Sequence, residues 1–170
     1  MKNGSVEENL KRYLKDPKSN QNINPTIRSK IIFGVAAIMK KLHKNKVIHR
    51  HLLIDNVFLD DNFEPIIDGF QYATFMSGKY QKETEPDVDE AYVIKLGIMS
   101  PEMFNGIFTS ACDVFSFAFF LFNMFSIRMI NGGWASSISL RNGNLPARPE
   151  GIPDHYWELI QKCWSPDPLD

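Results

Sequence analysis

Cysteine is scarce in this chain. Cys112 and Cys163 lie far apart and do not form a C-x-x-C pair. That spacing argues against a zinc site or a disulfide framework, and a reducing compartment, the cytoplasm, is the default expectation. Charge of one sign is lacking too: 19 Lys and Arg stand against 20 Asp and Glu, a net charge of −1. Such a balance gives no bulk attraction to nucleic acid or to an anionic membrane. Long apolar runs are also missing. The longest, Val114 to Phe125, is interrupted by Ser116 and Asn123. It is shorter than the ~20 residues a bilayer span needs and reads as a helix buried on all sides. No apolar leader opens the chain, and it has neither internal repeats nor low-complexity tracts. The composition, 44% hydrophobic and 23% charged over 170 residues, suits one domain with a real core.

Local signals divide the chain. Ser5, followed by Glu7 and Glu8, predicts the cap and acidic first turn of a helix. Asp16 to Asn24 is polar, includes Pro17 and reads as a loop. Asn24-Pro25 is a helix start, after which Ile27, Ile31, Val35, Ile38, Met39 and Leu42 recur at helical spacing. Lys40, Lys41, Lys44 and Lys46 crowd the end of that helix and read as its solvated cationic terminus. Val47-Ile48, Val57-Phe58-Leu59 and Pro65-Ile66-Ile67 suit short strands, the last two a hairpin turning at Asp60-Asp61-Asn62. Gln71 to Ile98 reads as a long irregular loop with an acidic middle, residues 83–90. A short helix is expected at Pro101 to Phe104. Thr109 or Ser110 should cap the buried helix, Gly132-Gly133 punctuate the next link, and Asp154 to Trp164 form an amphipathic helix.

The most informative stretch is Val47-Ile48-His49-Arg50-His51-Leu52-Leu53-Ile54-Asp55-Asn56. It resembles the catalytic loop of protein kinases, H-R-D-x-x-x-x-N, with His51 in place of Asp. The resemblance continues in order along the chain. Met1 to Glu7 is similar to the segment after the kinase hinge. Met99-Ser100-Pro101-Glu102 resembles A-P-E, and Asp113 to Ala118 the start of the central buried helix. Arg148 to Pro153 and Cys163-Trp164-Ser165-Pro166-Asp167-Pro168 are similar to the tyrosine-kinase-like group. The resemblance implies a mainly α architecture within an α+β family: the large lobe, a helical bundle with a short β-hairpin at the active-site floor. Residues 1–170 then form one partial domain. Neither the G-x-G-x-x-G loop nor the V-A-I-K strand of the small lobe is present, and the chain stops where another helix would follow.

The same resemblance assigns roles. His51 takes the place of the Asp that orients the substrate hydroxyl, without its negative charge. Leu53 replaces a residue that is usually Lys, Arg or Ala. Asn56 matches a metal-binding Asn, or serves as a turn residue bonding its own loop. Ungapped, the D-F-G motif falls on Gly69-Phe70-Gln71, which removes the metal-binding carboxylate. Asp68 stands one position early, where strand alternation turns it the other way unless a bulge restores it as a ligand. Phe58 lies at the adenine floor and fills or stacks in that space. His49 and Phe70 match two members of a hydrophobic spine. Asp113 matches a carboxylate that holds the catalytic-loop backbone. Arg50 matches an Arg that receives an activation-segment phosphate, with Tyr80 and Thr84 as candidate phosphosites. Lys95 stands where active members carry a small Ser or Thr. Glu102 is expected to go without the Arg that usually pairs with it.

ATP and Mg²⁺ are the cofactors the resemblance implies, and the substitutions at 51, 53 and 69 put their binding in doubt. The expected function is an inactive, pseudokinase-like lobe that works through a protein partner. The alternatives are a working ATP-dependent kinase completed by a small lobe, and a degenerate fragment. No nucleic-acid or membrane partner is expected.

Overall fold

The computed structural model describes residues 3–16, 23–78, 81–82, 100–126, 142 and 144–165. Helix α1 (Val6–Lys15) begins at a capping box. The Glu8 N–H donates to Ser5 Oγ at 3.2 Å, and the Ser5 N–H donates to Glu8 Oε2 at 3.1 Å. Helix α2 (Pro25–Lys44) is capped by Asn24, whose side chain accepts from the Ile27 N–H at 2.9 Å. Pro25 follows at a position whose N–H a helix leaves unused. Ile31, Val35 and Met39 of the expected stripe are buried, with Ile32 beside them. Ile27, Ile38 and Leu42 pack at the rim of the same core.

The expected hairpin forms between β2 (Val57–Leu59) and β3 (Pro65–Ile67), antiparallel, with Val57 opposite Ile67 and Leu59 opposite Pro65. Asp60 Oδ1 closes the turn by accepting from the Asn62 and Glu64 N–H groups, both at 2.8 Å. Alternation turns Val57, Leu59, Pro65 and Ile67 inward and leaves Phe58 and Ile66 on the outer face. Helix α2 reaches this hairpin closely at Gly34. A Cβ there would lie 2.4 Å from Pro65 Cγ, so only glycine allows the approach.

The segment after Gly69 is less irregular than its composition implies. A 3₁₀ turn spans Phe70–Tyr72, and β4 (Thr74–Phe75) pairs with β1 (Val47–Ile48). Strand β5 (Gln81–Lys82) pairs with β6 (Ile107–Phe108). Both pairings satisfy backbone groups with partners distant in sequence, which local composition does not reveal. The expected short helix is a 3₁₀ turn, Pro101–Asn105.

Helix α3 (Ser110–Phe125) starts at Thr109, whose hydroxyl accepts from the Ala111 N–H at 3.1 Å. Eleven of its residues are buried, so it runs through the core as expected. Helix α4 (Asp154–Cys163) packs beside it. Trp164, just past its end, meets Phe119 edge-on at 5.0 Å and Phe122 at 5.7 Å, while Tyr156 meets Phe125 at 5.0 Å. Among the described residues no helix is long and apolar enough to cross a membrane. Tyr80, Thr84, residues 83–90, Lys95, Gly132-Gly133 and Pro166-Asp167-Pro168 lie outside the described residues.

Candidate functional site

The loop 49–56 is held from beneath by helix α3. Asp113 is buried, and its carboxylate accepts from two successive backbone N–H groups. Oδ2 takes the His49 N–H and Oδ1 the Arg50 N–H, each at 2.8 Å. His43, in the last turn of α2, adds its Nε2 at 2.8 Å from Oδ2. These bonds stabilise Arg50 at φ +65°, a left-handed conformation uncommon outside glycine. The Arg50 guanidinium lies over the Phe108 ring, 3.8 Å from its centroid. Sequence reasoning missed His43: it sits inside a lysine-rich helix end, and nothing local distinguishes it from its solvated neighbours.

His49 is fully buried and its ring is committed on both sides. Nε2 donates to the Asp68 carbonyl at 3.0 Å, and Nδ1 accepts the His51 N–H at 3.2 Å. That pattern is the neutral imidazole, with its proton on Nε2. Burial pushes its pKa down, and Asp113 opposes the shift. The ring edge meets Phe70 at 4.7 Å, which brings the two expected spine residues into contact.

His51 is buried against Tyr72, with ring centroids 4.9 Å apart. The Asn56 side-chain amide nitrogen donates to the His51 carbonyl at 3.0 Å and lies 3.0 Å from His51 Nδ1. The carbonyl bond identifies that end of the amide as the NH₂, so Nδ1 is its acceptor and carries the lone pair. Gln71 Nε2 approaches the same nitrogen at 3.5 Å. Leu53 packs against the main apolar core and brings no polar atom to the site.

Gly69 is buried at φ +90°, ψ +28°. A Cβ placed there would lie 2.7 Å from Asn56 Nδ2, 2.9 Å from Asn56 Cγ and 3.2 Å from His51 Nδ1. The side-chain direction that faces the loop therefore belongs to position 69. Asp68 is exposed, and its Oδ1 accepts the Gly69 N–H at 2.7 Å. Its own N–H donates to the Asn56 carbonyl at 2.8 Å, which continues the hairpin register without a bulge. The bulge that would return Asp68 to the site is absent, because the unbroken ladder keeps strict alternation.

Magnesium needs several oxygen ligands, carboxylates foremost. Position 69 offers no side chain, and Asp68 caps a backbone N–H on the outer side. Among the described residues no group of three His, Cys, Asp or Glu side chains is placed to hold a metal. The residues around Asn56 do not fit a Mg²⁺ ion. Phe58 lies on the outer face of the hairpin opposite Ile66, which is 42% exposed. Its ring is a partly exposed apolar surface with Ile66 across from it.

Glu102 is met by a thiol from the first turn of helix α3. The Cys112 thiol donates to Glu102 Oε1 at 3.3 Å and accepts the Thr109 N–H at 3.4 Å. Burial, then the nearby Glu102 carboxylate, push this thiol up to about 12. It stays protonated and serves as a donor.

A family model described as protein tyrosine and serine/threonine kinase matches residues 1–170. The chain belongs to the protein kinase family. Among its relatives is the dual specificity protein kinase zakA of Dictyostelium discoideum, 29% identical over 174 residues, covering 95% of this chain and 22% of the relative. A probable LIM domain-containing serine/threonine-protein kinase of the same organism is 30% identical, covering 81% of the chain and 21% of the relative. A G-type lectin S-receptor-like serine/threonine-protein kinase of Arabidopsis thaliana is 32% identical, covering 71% and 15%. The chain thus spans about a fifth or less of the length of these relatives. Within this kinase-family chain, the loop frame at Asp113, His49 and Phe70 surrounds a site in which the Asn56 amide is bonded to His51.

Proposed function

We propose that this chain is a kinase-family large lobe, partial over residues 1–170, that has left phosphoryl transfer and acts as a pseudokinase through contact with a protein partner. The observation that carries this reading is the Asn56 amide bonded to His51 beside a side-chain-free Gly69. Phosphoryl transfer depends on an oriented hydroxyl and metal-borne charge. His51 supplies no anion at the orienting position, and the carboxylate that would hold the metal is replaced by Gly69. Arg148 to Pro153 and Cys163-Trp164 support placement in the tyrosine-kinase-like group. Cys112 and Cys163, both unbridged, support a reducing, cytoplasmic setting.

A thermal-shift titration with ATP, with and without Mg²⁺, tests the reading. A ligand that binds only the folded state raises the melting temperature once its concentration exceeds Kd. The expected outcome is no Mg²⁺-dependent rise at millimolar ATP; such a rise would retire the proposal.

The second reading is an ATP-dependent protein kinase that transfers phosphate to Ser, Thr or Tyr hydroxyls when completed by a small lobe. The names of its relatives, serine/threonine-protein kinases and a dual specificity kinase, favour it. ATP and Mg²⁺ would be its cofactors, with Phe58 beneath the adenine. Fusing the small lobe of a relative to this chain separates the two readings. Absence of Mg-ATP binding in the fusion excludes the working kinase.

A further inference from the structure

We infer that the imidazole at 51 and the missing side chain at 69 are a single, coupled change, with Asn56 as the positioning residue between them. The inference rests on reading position 69 as the one whose side chain faces the loop. Asn56 carries its amide at the place a residue-69 side chain would begin. A Cβ at 69 would overlap not only the tip of that amide, at 2.7 Å, but also its Cγ, at 2.9 Å. Overlap with the tip of a free side chain is relieved by rotation. This tip is not free, since the His51 carbonyl and the His51 ring nitrogen both accept from it at 3.0 Å. Moving the amide aside breaks two hydrogen bonds in a part-buried site. The ring adds its own obstruction 3.2 Å from the same point. An acidic residue returned to position 69 alone would meet this pair instead of an open cation site.

A double-mutant cycle on stability isolates the coupling. The φ of +90° at position 69 strains any L-residue whichever side chain stands at 56, so that strain cancels between backgrounds. Gly69→Ala is measured by urea unfolding in the wild-type chain, in Asn56→Ala and in His51→Ala. The expected result is that Gly69→Ala lowers the folding equilibrium constant at least about tenfold more in the wild-type chain than in Asn56→Ala, within the range contacting residues show. His51→Ala should fall between the two. Equal losses in all three backgrounds, within about twofold, would assign the cost to backbone strain and overturn the inference. If Gly69→Ala does not fold in the wild-type chain, its refolding in the Asn56→Ala background supports the coupling. Failure to fold in every background overturns it. The cycle uses neither nucleotide nor metal, so its outcome is independent of the ATP titration that tests the pseudokinase reading.

Discussion

Asp113 organises the loop because a carboxylate has two acceptors and no donor. Each oxygen takes a backbone N–H, from His49 and from Arg50. Asp113→Asn keeps the shape but replaces one oxygen with NH₂, which must then face an N–H. The expected loss is about 2 kcal/mol, the scale of a buried unsatisfied donor. Asp113→Ala should lose more than Asp113→Asn, because the His49 and Arg50 N–H groups and His43 all lose their acceptor. Urea unfolding followed by circular dichroism checks both. Equal stability of Asp113→Asn and the wild type would contradict the bonding pattern. Asn56 shows the same logic at the site itself: its amide nitrogen serves two acceptors of His51, the carbonyl and Nδ1.

Helix α2 meets strand β3 at a glycine, Gly34, packed on Pro65. Gly34→Ala improves intrinsic helix propensity by about 1 kcal/mol. Its methyl would nevertheless lie 2.4 Å from Pro65 Cγ and 2.7 Å from Pro65 Cδ. Overpacking of this kind costs about 1–3 kcal/mol, so the net change should be destabilising. Pro65→Ala removes the obstructing ring atoms. Gly34→Ala should therefore be less harmful, or stabilising, in a Pro65→Ala background. Chemical denaturation of the four variants reads this out. Additive effects would show that the helix shifts freely over the strand.

For the molecule as a whole, buried ionisable groups set the pH range of stability. His49 is neutral in the fold, with its pKa held below the usual 6.5. The unfolded chain therefore binds a proton first as pH falls, and stability declines below about pH 6.5. Cys112 is raised from 9.0 to about 12 and Cys163 to about 11, both by burial first. The unfolded chain releases those protons first, so stability declines as pH rises above about 9. Melting temperatures should form a plateau between the two limits. His49→Gln should flatten the acid limb. Cys112→Ser, which keeps a donor for Glu102, should flatten part of the alkaline one. Unchanged limbs in both variants would assign the pH dependence to other groups.

The sequence by itself determined the local punctuation and the family. Ser5 and Asn24 are caps because short polar side chains reach orphan N–H groups within one turn, while between Thr109 and Ser110 the structure chose Thr109. The hairpin 57–67 follows from two short apolar runs about a polar turn, helix α2 from a period-3.6 stripe and helix α3 from a near-continuous apolar run. The kinase family was legible as motif-like residues in order along the chain. Tertiary structure decided what those residues touch. His43 on Asp113, Cys112 on Glu102, and the pairings of β1 with β4 and of β5 with β6 all join groups that the chain separates. It also decided that position 69, not Asp68, faces Asn56, and that Asn56 is bonded to His51. A pattern of periods carries the direction of a side chain only within its own element. Which groups meet depends on how elements pack and on which buried polar atoms must find a partner.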